Sequence, residues 1–534
     1  MQPVVNAATL AAARAALGVS SAATPNCGLQ TGVSGVNNLD VNFTTSQVST
    51  NQSITAASCD TVFIATGPIT FTLPRANTLW NGFGFWINVV SGGVITVAIN
   101  ANDSIALPGQ SLASGVSGTL LVNTWAYVTT DAASSGTWRI ALTFADDVLH
   151  AKAYGATGNG STDDTTALQA WINACETLSM KCFLDAGTYK TSSVLTVNAA
   201  LTIEGVNRNT SIIAPSVATQ DGIDVNTNAY VQFSSFAVNS SASPPTAGYC
   251  INITGPFQNQ GAILRDLAFS CYNSIYMNQA AQWKIDGIFG LAQNIAITVA
   301  LGGDSTIMNS NINASVIGIL FQPPASAGGL RINNVKMVGA SISSGVGIEL
   351  LLPSAAGPSD LIISNSSIEI FQTGIYLLKN TGTTFVQINI LGNEFENQNC
   401  IATDANAGWL AAVTITGNIC QISGSNTGFA LATGTGYDVT GNIFYGGTTG
   451  IALASGVGGI FSDNYFVSTT TNYSALSTVA IVKDAEGVAY AGLPSSAANG
   501  SQIFCSNCAP ASSPCTGSST GSTALRQNGA WKCF

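Results

Sequence analysis

Four side chains fall at matching points of four short segments. Aligning INNVKMVG, NSSIEIF, NEFENQ and NICQIS on their apolar alternation puts Lys336, Glu369, Glu396 and Gln421 in one column. If these segments are neighbouring strands, successive members stand about 4.8 Å apart. Two glutamates at that spacing approach the roughly 5–5.5 Å separation of the carboxyl pair in a retaining glycosidase. Like charges so close raise one pKa and leave a proton donor beside a nucleophile, which makes Glu369 and Glu396 the candidate catalytic pair. The same column also reads as a solvated face of unlike charges, with Lys336 offsetting Glu369. Glu394 and Glu349 are alternates for either glutamate, because a one-residue slip reverses the face of a strand. Lys336 and Gln421 are candidate substrate-binding residues.

Other chemistries have less behind them. A lyase needs a strong base and cations to neutralise a uronate. Lys284, Arg331 and Lys336 lie within a few repeats of one another, without the dense aspartates of a calcium site. His150 is the sole histidine, placed at a domain junction as a packing residue, so a Ser-His-Asp hydrolase is set aside. Trp283, Trp409, Tyr437 and Tyr445 offer flat faces that match the C–H face of a pyranose, or else fill the interior or a subunit contact. Trp409, in the loop DANAGWLAA, is the preferred stacking residue. Cys505, Cys508, Cys515 and Cys533 suit either a zinc site or two disulfides; with only one CxxC unit, disulfides are preferred. Cys175 and Cys182 flank a helix–strand turn, while Cys250/Cys271 and Cys400/Cys420 are separated by about one repeat. No cofactor is expected.

A column needs stacked repeats to hold it. Asp266, Asp286, Asn311, Asn334, Asn365, Asn393, Asn418, Asn442 and Asn464 each sit in a polar turn between alternating apolar residues, at steps of 20 to 31. Such a period marks a solenoid whose repeats bury their apolar faces only on their neighbours. TITGNICQI, DVTGNIFYG and IFSDNYFVS alternate as strands do, which excludes helical repeats, and regular leucine spacing is absent. The fold that remains is mainly β, a right-handed single-stranded parallel β-helix with one coil per period. Asn tolerates left-handed turn angles, and amides on successive coils can form a hydrogen-bonded ladder.

Composition bounds the partners. Of 534 residues only 8% are charged, against about 25% in an average globular domain, and the net charge is −11. Surface polarity must come from hydroxyls and amides, which suits sugar binding. Nucleic acid and anionic bilayers are disfavoured, since little here would neutralise phosphates. No stretch approaches the roughly 18 apolar residues of a membrane span, so no membrane insertion is expected. MQPVVNAATLAAARAALGVS lacks a basic start and carries Arg14, so it reads as a short helix better than as a secretion signal.

Four regions separate by composition. Residues 1–25 are an Ala-rich helix and linker. Residues 26–146, with Trp80, Trp86, Trp125 and Trp138, read as a small β-sandwich or barrel. Residues 147–475 form the solenoid, with a capping helix at about 164–179 whose Leu168, Trp171, Ile172 and Leu178 share a face and which Asp163 or Asp164 caps. Residues 476–534 are a Ser/Gly-rich, Cys-containing C-terminal module.

The solenoid entrance, AYGATGNGSTDDTTALQAWINAC then KCFLDAGTYKTSSVLTV, resembles the N-terminal segment of the pectate-lyase-like β-helix superfamily. There a Gly-Ala-x-Gly-x-Gly-x-x-Asp-Asp-Thr motif precedes a capping helix and an Ala-Gly-x-Tyr turn. The match departs at Asp185, where proline is common, which implies a looser turn. With the NAATLAAARAALGV helix, the TLPRANTLWNGFGFWI module and the CSNC…GAWKC end, the whole resembles a bacteriophage tailspike. That resemblance implies a homotrimer located in the virion tail and docked on the tail or baseplate through its N-terminal region. It further implies that the chain binds and depolymerises a host surface polysaccharide (O-antigen, capsule or exopolysaccharide), a glycoside hydrolase ahead of a lyase. The alternative is a non-catalytic adhesin or structural fibre of the same fold.

Overall fold

The computed structural model describes residues 44–534, apart from short stretches at 80–82, 92–94, 108–109, 113–114, 116, 121–123, 132–135, 145–147, 228, 255–260, 279–281, 302, 323–328, 353–359, 380–386, 406–411, 475–479, 489–491, 494–496 and 519. The N-terminal helix and Trp409 lie outside the described residues. Two units divide at Ile212/Ile213.

The first unit begins with two sheets. Thr44–Val48, Thr61–Thr66 and Gly84–Ser91 run parallel, as do Gln52–Ser53, Thr70–Thr72 and Ile95–Ala98, so residues 44–98 already form coils. Antiparallel Thr124–Asp131 and Thr137–Phe144 extend the first sheet. Between the sheets Phe63 meets Phe71 and Phe85 edge-on, and Phe83 meets Trp138 the same way. Edge-to-face contacts of this kind suit the ring quadrupole.

The helix Thr165–Leu178 follows, one residue inside the expected bounds at each end. Leu168, Trp171 and Ile172 are fully buried, and Trp171 Nε1 donates to Leu149 O at 2.7 Å. Leu178 is exposed, because the helix turns out of the apolar face in its last turn. Both aspartates serve the helix start, differently. Asp163 Oδ1 accepts the Thr165 N–H at 3.1 Å, whereas Asp164 fastens the preceding loop by accepting the Thr157 and Gly158 N–H groups at 2.7 and 3.0 Å. Gly187 has a spatial reason: a Cβ there would stand 2.8 Å from Gly158 O. Asp185, the departure from the motif, receives His150 Nδ1 and the Lys152 N–H at 2.8 and 3.1 Å, so this turn is pinned. Cys175–Cys182 closes the helix–strand turn.

In the second unit each coil gives two strands to one parallel sheet and one to another. Val231–Ser234 and Ala237–Asn239, then Tyr249–Ile253, make one such coil. The long strands Ser305–Ala314 and Leu330–Gly339 are two such segments joined across a bend. The bends are a column of left-handed residues: Asp266, Gly287, Asn309, Asn334, Asn365, Gly392, Gly417, Gly441 and Asp463 all have φ between 50 and 69°. Gly and Asn take that conformation at least cost.

The nine expected turn residues therefore belong to several columns. Asp266, Asn334 and Asn365 are bends. Asn393, Asn418, Asn442 and Asn464 lie one residue later, pointing inward and buried. The first three donate their amides to the next amide oxygen, Asn393 to Asn418 at 3.0 Å, Asn418 to Asn442 at 2.9 Å and Asn442 to Asn464 at 3.0 Å. Asp286 precedes a bend, and Asn311 follows one by two. Inside the last coils Phe444 stacks on Phe466 at 5.0 Å. Cys250–Cys271 and Cys400–Cys420 tie a strand of one sheet to the other sheet on the next coil, with Cα atoms 5.7 and 5.9 Å apart. The last strands turn antiparallel, Gln502–Cys505 with Ser522–Gln527 and Ala530–Cys533, closed by Cys505–Cys508 and Cys515–Cys533.

Candidate functional site

The bend column fixes the register of the longer sheet's outer face. Four residues beyond each bend come Val338, Glu369, Glu396, Gln421, Tyr445 and Val467, paired in that order. Glu369, Glu396 and Gln421 are thus in register on successive coils, as expected. Lys336 is not in their column: it pairs with Ser367, which pairs with Glu394 and then Ile419, two residues nearer the bend. Apolar alternation has period two, so a two-residue slip keeps the face and escapes notice. Glu394 shares the face of the pair. Glu349 lies on the other sheet, opposite Tyr376.

The charges here do not make a proton donor of Glu369. Lys336 Nζ stands 3.1 Å from Glu369 Oε1, and the Ser367 hydroxyl donates to the same oxygen at 2.5 Å. Burial pushes the Glu369 carboxyl upward, but Ser367 and Lys336 together hold it below the ordinary value. Of the expected pair, Glu369 is therefore not the raised member, and its offset by Lys336 follows the reading of this face as unlike charges. Around the glutamates the face is partly apolar, with Ile419, Tyr445 and Tyr465 exposed.

Of the proposed stacking residues, Tyr445 is open to solvent beside Gln421. Trp283 is 1% exposed and lies inside the coil, so no sugar reaches its ring. Tyr437 is equally enclosed and donates to Thr433 O at 2.8 Å. Lys284 is held by Asp286 at 3.0 Å. The sulfurs of Cys508, Cys515 and Cys533 lie within 4.8 Å of one another, but all are in disulfides, which leaves no thiolate for zinc.

A second constellation, absent from the sequence reading, lies on the other sheet. Register carries Asp224 to Asn252, Tyr276 and Thr298, and further along Leu320 to Glu349 and Tyr376. Asp221, just before the strand Ile223–Val225, accepts the Tyr249 N–H at 2.6 Å and the Asn252 amide at 2.8 Å. Burial pushes the Asp224 carboxyl up to about 6, reinforced by hydrogen bonding and repulsion from Asp221 and opposed by Asn252. The Tyr249 and Tyr276 rings pack with centroids 5.3 Å apart, and burial raises the Tyr249 phenol. Burial likewise raises Glu349. The segments DGIDV, YCINI and SIYMN carry the signal, an acid, an amide and an aromatic one coil apart. Their distance from the polar bends varies from coil to coil, which concealed it.

No protein-family model matches this chain, and no curated protein matches it. Among solved structures it is similar to the catalytic unit of a GH87 α-1,3-glucanase from Streptomyces thermodiastaticus, at 13% identity and TM-score 0.45, over 75% of this chain and 80% of that one. It is similar to gp49 of Acinetobacter baumannii bacteriophage Fri1, a capsular polysaccharide depolymerase, at 11% identity and TM-score 0.44, over 76% of each chain. The Dettilon tailspike protein gives 13% identity and TM-score 0.43, over 60% of this chain and 68% of that one.

Proposed function

We propose that this chain is a virion spike that binds a bacterial surface polysaccharide and depolymerises it during adsorption. The observation that carries the reading is the outward register of the second unit. Amide, hydroxyl, carboxyl and tyrosine groups repeat about every 4.8 Å along parallel coils, so one face can hold several sugar units of a polymer. Gln421 beside Tyr445, and Asn252 beside Tyr276, pair a hydrogen-bonding group with a ring in the way carbohydrate recognition requires. Side-by-side association of three copies fits the exposed apolar side chains Phe289, Leu291, Ile419 and Tyr465, and particle attachment falls to the N-terminal region.

Hydrolysis is favoured over elimination. Lys284 and Lys336, two of the three cations considered for a uronate, are already paired with Asp286 and Glu369. A purely binding spike is the second reading, favoured by the ionised state of Glu369. The test is a panel of purified O-antigens, capsules and exopolysaccharides assayed for binding and for reducing-end release. Binding with release supports the proposal, binding without release at high protein concentration supports the adhesin, and neither binding nor release across the panel overturns both. Unsaturated-uronate absorbance in the products would mark a lyase.

A further inference from the structure

We infer that Asp221 and Asp224, framed by Tyr249, Asn252 and Tyr276, are the proton-donating site at which this chain cleaves a neutral or amino-sugar glycan; the inference rests on the glycan-cleaving reading above. The geometry comes first. Asp221 is clamped by two donors, the Tyr249 N–H and the Asn252 amide, so its position is set by the next coil. Asp224 lies against Asp221, and its Oδ1 is buried with no donor among the described residues. A buried acceptor without a donor is costly, and a proton shared between the two carboxyls removes that cost. Thr298, further along the same register, is 1% exposed, and its hydroxyl lies against the Tyr249 phenol. A buried carboxyl oxygen without a donor beside a pair of packed tyrosine rings forms a surface built for a hydroxylated ligand.

Charge selects the substrate class. The strands Ile223–Val225, Tyr249–Ile253, Asn273–Asn278 and Ile295–Leu301 contain no Lys, Arg or His. A uronate or sialyl unit would meet two carboxyls without a counter-charge, whereas a hexose, or an amino sugar with a free or acylated nitrogen, meets donors and acceptors.

In the step itself, Asp224 passes its proton to the glycosidic oxygen as the C1–O bond breaks, and the leaving sugar departs as an alcohol. One water is consumed: its oxygen bonds to C1 and its surplus proton returns to the carboxyl pair. The titratable group facing Asp224 is Asp221; Tyr249 faces Asp221, and Tyr276 lies two coils along the register of Asp224. With a donor that loses its proton near pH 6, cleavage falls as pH rises through about 6.

The experiment uses the full chain and a polysaccharide that the wild type cleaves. Asp224→Asn is expected to lower kcat by about 10²–10⁴-fold with KM within a few-fold, and Tyr276→Ala to raise KM. Near-wild-type kcat in Asp224→Asn and Asp221→Asn overturns the inference while leaving the depolymerase reading intact. Absence of any cleaved polysaccharide removes that reading and the inference with it. A carboxyl-carbon NMR titration of the free protein supplies a readout besides turnover: Asp224 should titrate near 6. Two values in the ordinary aspartate range would refute the shared proton, whatever the substrate.

Discussion

Replacing Asn418 with alanine tests whether buried amides hold the coils of the second unit. Asn418 is fully buried; its Nδ2 donates to Asn442 Oδ1 at 2.9 Å and to Ile390 O at 3.0 Å. Its Oδ1 accepts the Asn393 N–H at 2.9 Å and the Asn393 amide at 3.0 Å. Alanine deletes these four and the bond from Nδ2 to Thr416 O at 3.2 Å. Asn442 Oδ1 keeps the Asn418 backbone N–H at 3.0 Å, and the Asn393 amide keeps Ile363 O at 3.0 Å. The Asn393 N–H has no such reserve, whereas Ile390 lies within the strand ladder that pairs Leu391 with Thr416. An unsatisfied buried group costs about 1–3 kcal/mol. One of them, with the severed ladder bonds, gives about 2–4 kcal/mol. Asn365→Ala is the contrast: Asn365 is an exposed bend with φ 50°, where the cost is the left-handed conformation alone, about 1–2 kcal/mol. Asn365→Gly should be neutral or better. Urea unfolding followed by far-UV circular dichroism measures all three. If Asn418→Ala lies within about 1 kcal/mol of wild type, or Asn365→Ala costs as much, the ladder is not what secures these coils.

Three further outcomes follow from other contacts. Asp163 is held down to about 2, chiefly by hydrogen bonds from Ser192 and Thr165. A lowered carboxyl stabilises above its unfolded value and loses that contribution as pH falls through the folded one. Melting temperature should therefore drop between about pH 4 and 2, and Asp163→Asn should flatten that limb; an unchanged limb refutes the assignment. Lys336→Ala should cost no more than about 1 kcal/mol, as solvated ion pairs do, yet raise the Glu369 pKa in a carboxyl NMR titration. A Glu369 titration unmoved by that change would mean that the pair is not formed in solution. Replacing Cys515 and Cys533 by serine opens a link spanning 18 residues, worth about 3 kcal/mol to the C-terminal module. The buried Trp531 should then shift its emission to the red in urea concentrations that leave the wild type unchanged.

The fold was legible because parallel coils impose one demand at every repeat, a residue that accepts a left-handed bend. What the sequence hid is that the bend is one member of a dipeptide. In LGN, TGN and SDN the bend is Gly392, Gly417, Gly441 or Asp463, and the Asn after it joins the ladder. In NNV and NSS the bend is Asn334 or Asn365 itself. Counting asparagines merges the two columns. Aligning on the first residue of each dipeptide would have placed Val338, not Lys336, beside Glu369.

The site was less legible because its two faces are indexed differently. On the longer sheet each outer residue is a fixed number of steps from a bend, so Glu369 and Glu396 could be paired from sequence. On the other sheet, connections of variable length intervene, and no short-range pattern ties Asp224 to Asn252 or Tyr276. Their alignment is a product of the stacked interior: Ile223 lies on Ile251 and then Ile275, and the intervening outer residues follow. The apolar core thus does the positioning. Two aspartates three residues apart in a sequence would ordinarily be solvated and independent. Held against each other one coil below Asn252, they are neither: burial and the neighbouring Asp221 raise the Asp224 carboxyl, the property that would separate a surface that merely binds glycan from one that can donate to it.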